Sequence, residues 1–165
     1  MKNYEQTSGI FRPKTVKESK AELTDLVLPP DTNQHGTIFG GNVMAYADKM
    51  AAIAAMRHCR QLVVTVRSDS FEFHAPIKAG EAIHVEASVI CAHKTSMEVF
   101  VKVQSENLLT GEKQLTSQAY LTMIAVDEEG RPSPVPPVIP ETEEEKRHYK
   151  LAMARYENRK KEKGL

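Results

Sequence analysis

The sequence lacks the features that mark several large classes of protein. Its 165 residues contain two cysteines, too few for a disulfide framework and typical of a reducing compartment. Basic and acidic residues both number 22, so charge favours neither nucleic acid nor an anionic membrane as a partner. The longest apolar run, residues 50–56, is far below the roughly 20 residues of a membrane span, and the polar N-terminus has no apolar segment typical of a signal peptide. We therefore predict a soluble, cytoplasmic protein.

Motifs of the common catalytic classes are also missing. The six histidines are scattered, without the H-x₃-H or C-x₂-C spacing of metal ligands, so we predict no metal site. No G-x-S-x-G elbow is present, which excludes a serine hydrolase of that type. Cys59 follows His58, but adjacency in sequence does not create catalytic geometry. We interpret Cys59 as a buried structural thiol.

The apolar pattern predicts one buried helix and several long strands. From Asn42 to about Arg57, two neighbouring apolar stripes rich in alanine indicate a closely packed helix buried over most of its circumference. Strand patterns joined by short turns favour an antiparallel sheet. In the strand ending at Cys91, alternation puts Cys91 on the face of Val85 and Val89. The predicted class is α+β, a long antiparallel sheet wrapped around one central helix. Strands are predicted over residues 21–28, 62–66, 70–73, 81–91, 97–103 and 115–126.

Composition divides the chain into three parts. Residues 1–19 are polar and predict a flexible N-terminal arm, while residues 20–130 contain the central helix and the strands. Residues 131–165 contain a proline-rich linker, predicted to be extended and irregular, and a charged C-terminal helix. Thr142 and Glu145 have the spacing of a capping box at the start of that helix. Its apolar stripe is thin, so we expect a mainly solvated helix.

A glycine-rich loop precedes the central helix. Gly36, Gly40 and Gly41 allow the backbone to approach a ligand closely, and a helix N-terminus presents free N–H groups that can stabilise an oxyanion. Alternatively, these glycines serve only to turn the chain from strand to helix. In the same loop, Asn33 and His35 are candidates for the site, although a turn-forming asparagine and a surface histidine are the ordinary interpretations.

Asp48 is an isolated acid within the apolar helix. It lies two turns after Gly41, in line with Met44, Ala51 and Ala55. A carboxylate on a buried stripe is costly unless it is paired or hydrogen-bonded, which makes Asp48 a candidate catalytic residue. The alternatives are an ion pair with a neighbouring lysine or arginine, or a position at a subunit boundary.

The glycine-rich loop and the helix together resemble a known family. N-x-x-G-x-x-x-G-G spans residues 33–41 and is followed by Asp48 and, at the end of the helix, by Arg57-His58-Cys59. Three further stretches continue the likeness: FHAPIKAGEAIHVEASV (73–89), HKTSMEVFVKV (93–103) and SENLLTGEKQLTSQA (105–119). Over residues 21–140 the chain resembles the hotdog-fold acyl-CoA thioesterases of the cytosolic acyl-coenzyme A hydrolase family. The resemblance implies one hotdog unit that hydrolyses fatty acyl-CoA to free fatty acid and coenzyme A.

The resemblance also implies roles for individual residues. Asp48 would be the general base or nucleophile, Asn33 would position water or substrate, and backbone N–H groups near Gly36 and Gly41 would form an oxyanion hole. Family members pair two protomers into one continuous sheet, so Asn33 and Asp48 of one site are expected to come from different protomers. Such dimers often assemble into hexamers. Coenzyme A is part of the substrate, so no separate cofactor is implied.

Contacts to coenzyme A are expected from cations and hydroxyl groups. Lys94, Thr95 and Ser96, at a turn between strands, resemble the stretch in which the family binds the nucleotide. For each cation, a solvated surface position is the alternative. Further candidates for the phosphates are Arg57, Arg60 and Arg67.

Two other functions remain open. A hotdog dehydratase acting on hydroxyacyl thioesters would need a histidine paired with an acid, and His35 with Asp48 is the only candidate pair. A non-catalytic acyl-CoA-binding module would not need Asp48. If it were a transcriptional sensor, a DNA-binding helix pair would be expected, and residues 1–19 show no such pattern.

Overall fold

A long helix lies against every strand of an antiparallel sheet. The computed structural model describes residues 12–164. Its elements are β1 (Lys14–Thr15), α1 (Val16–Ser19), β2 (Ala21–Leu26), α2 (Gly40–Cys59), β3 (Leu62–Phe73), β4 (Ala82–Ala92), β5 (Ser96–Glu106), β6 (Lys113–Val126), β7 (Val138–Ile139) and α3 (Glu143–Glu162). Within these residues, a five-stranded sheet has the order β2-β4-β5-β6-β3, and α2 contacts all five strands. This arrangement confirms the predicted α+β hotdog class.

The central helix α2 is longer than predicted, because it begins at Gly40 and ends at Cys59. A Cβ atom at Gly40 would lie 3.4 Å from the Phe73 ring, so β3 packs in van der Waals contact with the first turn. At the other end, Arg60 adopts a left-handed conformation with φ 55°. The alanines that predicted close packing, including Ala47 and Ala51, are fully buried against the sheet. Among residues 12–164, no helix combines the length and apolar character needed to cross a bilayer.

Two β-bulges interrupt the edge strand β3. The sequence predicted two separate strands here, whereas the structure contains one strand of 12 residues. Its pairing with β6 shifts register between Thr65 and Arg67 and again between Ser68 and Ser70. An inserted residue breaks the two-residue alternation of side chains, and the sequence pattern breaks at the same place.

Because of a third bulge, in β4, the side chain of Cys91 points to the face opposite to the predicted one. The pairing of β4 with β5 shifts register between Val89 and Cys91, so that Cys91 pairs with Glu98 while Val89 pairs with Val99. Because a one-residue shift moves a side chain to the other face, Cys91 lies on the outer face of the sheet, where its Sγ is 3.6 Å from Met153 Sδ of α3.

The structure corrects the prediction of a flexible N-terminal arm over residues 12–19. The rest of the predicted arm, residues 1–11, lies outside the described part. Lys14 and Thr15 pair in parallel with β7 in the proline-rich segment. Ser19 is buried, and its hydroxyl donates to Val16 O (2.8 Å) and accepts from Val89 N (2.9 Å). These two hydrogen bonds at a buried hydroxyl fix the segment against β4. The polar composition of the segment does not reveal this contact, because it forms with a distant strand.

The proline-rich segment is extended and irregular apart from β7, as predicted. It crosses the C-terminal end of α2, where the fully buried His58 donates from Nε2 to Pro136 O at 2.7 Å. Burial lowers the pKa of His58, which keeps the imidazole neutral at this contact. The predicted capping box is also present in α3, because Thr142 Oγ1 accepts from Glu145 N at 3.1 Å and Glu145 accepts from Thr142 N.

The C-terminal helix α3 is packed on the outer face of the sheet, which corrects the prediction of a mainly solvated helix. Ala152 and His148 are buried, and His148 stacks on Phe100 of β5 with ring centroids 4.4 Å apart. Arg155 Nε donates to the buried Glu98 at 2.6 Å. The helix is therefore held both by its thin apolar stripe, with Ala152 in the core and Tyr149 and Met153 packed against it, and by polar groups that the stripe does not reveal.

Candidate active site

Asp48 lies on an open side of α2, facing the edge strand β3. Asp48 and Met44 are exposed, whereas Ala51 and Ala55 are fully buried, so the predicted stripe of four buried residues is wrong for its first half. The reason is the position of β3 at the edge of the sheet, because no further strand of the described chain covers this side of the helix. The acid is therefore accessible, and burial within the chain imposes no cost on its charge.

A threonine of β3 holds the Asp48 carboxylate. Thr65 Oγ1 donates to Asp48 Oδ1 at 2.6 Å and also lies 3.3 Å from Met123 Sδ. The bond leaves Oδ2 of Asp48 without a hydrogen-bond partner among residues 12–164. Thr65 was not among the site residues predicted from the sequence. The signal was present, because Thr65 is the one polar residue in the apolar run LVVTV, at a position that faces the helix.

The surface around Asp48 is unusually apolar for a solvated edge. The exposed fractions of Met56, Leu62, Val64 and Val66 are 42%, 61%, 46% and 50%. One side of β3 also has no ladder partner within the described chain. An unprotected apolar edge of this length is typical of a strand that pairs with another chain.

Asn33 organises the loop before α2 through its carboxamide oxygen. Oδ1 accepts from His35 N (2.9 Å), Thr37 N (3.3 Å) and Thr37 Oγ1 (3.2 Å). These three donors determine the orientation of the amide, since only the oxygen can accept. The Nδ2 group has no acceptor among the described residues and remains available to a ligand. The loop is joined to the helix by Asn42, whose Nδ2 donates to Asp31 O at 3.0 Å.

The glycines of the loop differ in what their N–H groups do. Gly36 has φ +73°, and its N–H donates to Asn33 O at 3.1 Å, so this group is already engaged in the turn. The N–H groups of Gly40 and Gly41, in the first turn of α2, have no acceptor among residues 12–164. The free donors expected near Gly36 and Gly41 are therefore found at the start of the helix.

His35 does not pair with Asp48 within the chain. Its backbone N–H belongs to the Asn33 turn, and its exposed ring lies 3.4 Å from the Gln34 side chain. At about 1.5 Å of rise per residue, the eight residues from Gly40 to Asp48 place the acid roughly 12 Å along the helix from the loop. Within one protomer, the loop and Asp48 are thus separate parts.

Two of the cations expected to bind phosphates are engaged by the chain itself. Arg57 donates to Lys20 O, and Arg67 Nε lies 2.7 Å from Asp69 Oδ1. Lys94 is exposed at the turn between β4 and β5, and it forms no ion pair with the described residues. The turn is fixed by its backbone, because Lys94 O accepts from Val135 N (3.0 Å) and Thr95 O accepts from Ala125 N (3.1 Å).

A surface cleft of about 740 Å³ lies between the C-terminal end of α2 and the start of β3. Ile53, Met56 and Leu62 give it an apolar lining, and Arg57 and Arg60 also line it. Neither Asp48 nor Thr65 is a lining residue, and Met56 lies eight residues beyond Asp48, roughly 12 Å along α2. Cys59 is not part of the cleft. Burial raises the pKa of its thiol, which keeps it protonated and supports its interpretation as a structural residue.

Comparison with known proteins matches the chain to one family. A family model described as "Thioesterase superfamily" matches residues 35–112. An uncharacterized acyl-CoA thioester hydrolase of Bacillus subtilis, YkhA, is 47% identical over 144 residues, covering 87% of this chain and 84% of that protein. The cytosolic acyl coenzyme A thioester hydrolase of Mus musculus is 34% identical over 146 residues, but the match covers only 38% of that longer protein.

Solved structures give the same result. A hexameric acyl-CoA thioesterase in its apo form superimposes with a TM-score of 0.88 at 53% identity, covering 93% of this chain and 99% of that chain. The acyl-CoA hydrolase of Staphylococcus aureus, solved with butyryl coenzyme A and coenzyme A, has a TM-score of 0.85 at 41% identity, with 92% and 93% covered. That enzyme has also been solved with single alanine replacements of an aspartate, an asparagine and a threonine. With this similarity extending over nearly the whole chain, the protein belongs to the hotdog-fold acyl-CoA thioester hydrolases of the thioesterase superfamily.

Proposed function

We propose that the protein hydrolyses fatty acyl-CoA to free fatty acid and coenzyme A, with Asp48 as the catalytic carboxylate. The observation that carries this proposal is the accessible Asp48 carboxylate, which accepts a hydrogen bond from Thr65 at the open edge of the sheet. A thioester carbonyl is electrophilic and its thiolate leaves readily. A carboxylate in this position can therefore act by removing a proton from water, or by attacking the carbonyl to form an anhydride.

The staphylococcal enzyme supports the choice of residues. The asparagine, aspartate and threonine replaced in its solved variants are separated along that chain by the same distances as Asn33, Asp48 and Thr65 here. Among these three, Thr65 acts on Asp48 rather than on substrate. Its hydroxyl holds one carboxylate oxygen and leaves the other free for water or the thioester carbonyl.

Oxyanion stabilisation is assigned to the first turn of α2. The N–H groups of Gly41 and Gly40 have no acceptor in the described part of the chain and belong to the positive end of the helix. A donor in this role typically contributes about 3 kcal/mol to transition-state stabilisation. The Nδ2 group of Asn33, for which the described residues offer no acceptor, is proposed to donate to the same oxygen or to the attacking water. Gly36 contributes by shaping the turn.

One site is proposed to combine two protomers. The loop donors and Asp48 are separated along α2 within a chain, and the apolar edge at β3 is suited to pairing with the same edge of a second copy. Pairing of two β3 edges would continue the sheet and bring one protomer's Asn33 loop near the other's Asp48. We propose a dimer as the minimal unit and a hexamer as the full assembly, which the similar hexameric acyl-CoA thioesterase supports.

Lys94 is the proposed phosphate contact, supported by Thr95 and Ser96. Lys94→Ala is expected to raise KM for acyl-CoA about fivefold to tenfold at low salt, since one charge-assisted contact contributes about 1–1.5 kcal/mol. The difference should shrink at high ionic strength, because salt screens an exposed charge. Steady-state kinetics at two salt concentrations measure this, with the exposed Lys161→Ala as matched control. An unchanged KM would remove Lys94 from the proposal.

Release of free thiol from acyl-CoA is the direct test of the proposed function. A series of acyl chain lengths should give turnover that depends on the acyl group, and the apolar wall of the cleft favours chains long enough to contact it. Hydration of an enoyl-CoA without thiol release would instead establish the dehydratase. Binding without either reaction would establish a non-catalytic module.

The remaining parts of the proposal concern location and partners. A relative named as cytosolic and two buried free cysteines support a cytoplasmic enzyme. Acyl-CoA and further copies of the chain are the proposed partners. No metal, separate cofactor, nucleic acid or membrane takes part in the proposed reaction.

A further inference from the structure

An arginine of the C-terminal helix reaches across the outer face of the sheet to the edge strand. Arg159 Nη1 donates to Asp69 Oδ2 at 2.9 Å, and the exposed fractions of the two side chains are only 14% and 9%. Its Nη2 lies 3.7 Å from Oε2 of the buried Glu98. Asp69 belongs to β3 and Glu98 to β5, so one guanidinium links two strands that β6 separates.

Asp69 is the extra residue of a β-bulge. Pairing between β3 and β6 passes from Ser68 directly to Ser70, which leaves Asp69 without a partner residue on β6. Bulged segments lose ladder hydrogen bonds and bend the strand. The Asp69 carboxylate therefore supplies a connection that the ladder lacks, through Arg159 of α3. Its other cation, Arg67 at 2.7 Å, lies on the same strand and cannot hold β3 against anything else.

The strand that Arg159 holds also carries Thr65. Thr65 lies next to the first of the two register shifts in β3, and its hydroxyl donates to Asp48. On the other side of β3, no strand of the described chain constrains it. The position of Thr65 relative to α2 thus depends on packing between α2 and β3, on the pairing with β6, which the two shifts weaken, and on the contacts of Asp69.

We propose that Arg159 is a positioning residue of the thioester hydrolysis reaction. Through Asp69 it holds the bulged segment of β3 and so sets the hydroxyl of Thr65 against the carboxylate of Asp48. This assignment rests on the proposed catalytic role of Asp48. It gives the C-terminal helix a function in the reaction, although α3 packs on the face of the sheet opposite to α2.

The proposal predicts a selective effect on turnover. A misplacement of about 1 Å at the reacting group can lower the rate about 10²-fold. A loosened Thr65 shifts the Asp48 carboxylate by less than removal of the Thr65 side chain would. Arg159→Ala is therefore expected to lower kcat about tenfold with KM nearly unchanged. Arg159→Lys should recover part of kcat, because it retains a cation near Asp69. The matched control is Arg147→Ala, an exposed arginine on the same helix.

The decisive experiment compares Arg159→Ala in two backgrounds, wild type and Thr65→Ala, with light scattering confirming an unchanged assembly. If Arg159 acts through Thr65, it lowers kcat in wild type and has no further effect once Thr65 is alanine. A wild-type-like kcat for Arg159→Ala, or a loss that adds fully to that of Thr65→Ala, would overturn the proposal. If the Arg159→Ala variant does not fold, the kcat of Asp69→Asn is measured instead, in the same two backgrounds and with the same two criteria.

Failure of the proposed function has a different outcome. If the folded Asp48→Asn and Thr65→Ala variants both keep full turnover, then Asp48 is not the catalytic carboxylate and Arg159 has no reaction to support. If those two variants lose turnover while Arg159→Ala and Asp69→Asn keep it, only the role of Arg159 is wrong.

Discussion

Replacing Asp48 with asparagine is expected to lower kcat by about 10²–10⁴-fold, the range that a general base contributes. Asparagine keeps the shape of the side chain and can still accept from Thr65, so the fold and the local geometry should persist. What the variant loses is the negative charge that takes a proton from water or attacks the carbonyl. Thiol release with saturating acyl-CoA measures the effect. The exposed neighbour provides a matched control, Lys49→Gln, for which we expect wild-type turnover.

Mixing variants extends this test to the arrangement of the site. If Asn33 and Asp48 of one site belong to different protomers, an Asn33→Ala chain and an Asp48→Asn chain can form a dimer with one intact site. Random pairing of equal amounts would then restore about one quarter of the wild-type sites. Recovery of activity on co-refolding supports the shared site. Two inactive variants that stay inactive when mixed would assign both residues to the same protomer. A fully active Asp48→Asn enzyme would exclude Asp48 from the mechanism.

Replacing Arg155 with alanine is expected to destabilise the protein by about 1.5–3 kcal/mol, because the buried Glu98 loses its hydrogen-bonded cation and keeps only Arg159 Nη2, at 3.7 Å. Glu98 is 1% exposed on the outer face of β5, and Arg155 Nε donates to it at 2.6 Å. The guanidinium also lies 4.1 Å from the centroid of the Tyr120 ring, so the substitution removes a cation–π contact as well. Denaturant unfolding at fixed protein concentration measures the change in the free energy of unfolding.

Two comparisons separate the buried charge from a general loss of packing. Burial raises the pKa of Glu98, so acidification of the Arg155→Ala variant protonates this carboxyl. The neutral carboxyl then has no charge for a cation to balance. The destabilisation of the variant should therefore be smaller at acidic pH than at neutral pH, and Glu98→Gln in the same background should recover part of the loss. Arg131→Ala is the matched control. Arg131 pairs with Asp127 and Glu129 but is 70% exposed, so it should contribute at most about 1 kcal/mol. A comparable loss at Arg131 would contradict the buried-charge interpretation.

Much of the fold follows from patterns within a few residues of one another. Apolar residues at helical spacing predicted α2, and alternating residues predicted the long antiparallel strands. The capping box at Thr142 is a local hydrogen-bonding pattern and was found where the sequence placed it. The glycine-rich loop also lies where it was expected, at the start of α2, because glycine determines local backbone geometry.

The errors share a cause, since each concerns a contact between distant parts of the chain. Alternation placed Cys91 on the inner face, but a bulge reverses its direction. The apolar stripe implied that Asp48 was buried, but helical periodicity cannot show that the sheet ends beside it. The thin stripe of α3 suggested a solvated helix, but Glu98 lies far away in sequence and binds Arg155.

Local spacing specifies backbone conformation, so the residues alone predict the central helix, the strands and the glycine-rich loop, and the contrast in polarity marks Asp48 as the candidate acid. That Asp48 is exposed beside an edge strand, that Thr65 donates to it and that α3 packs on the opposite face of the sheet follow only from the folded arrangement. These features depend on which distant residues meet, and the free energy of a charge depends on those neighbours rather than on the residues adjacent to it in the chain.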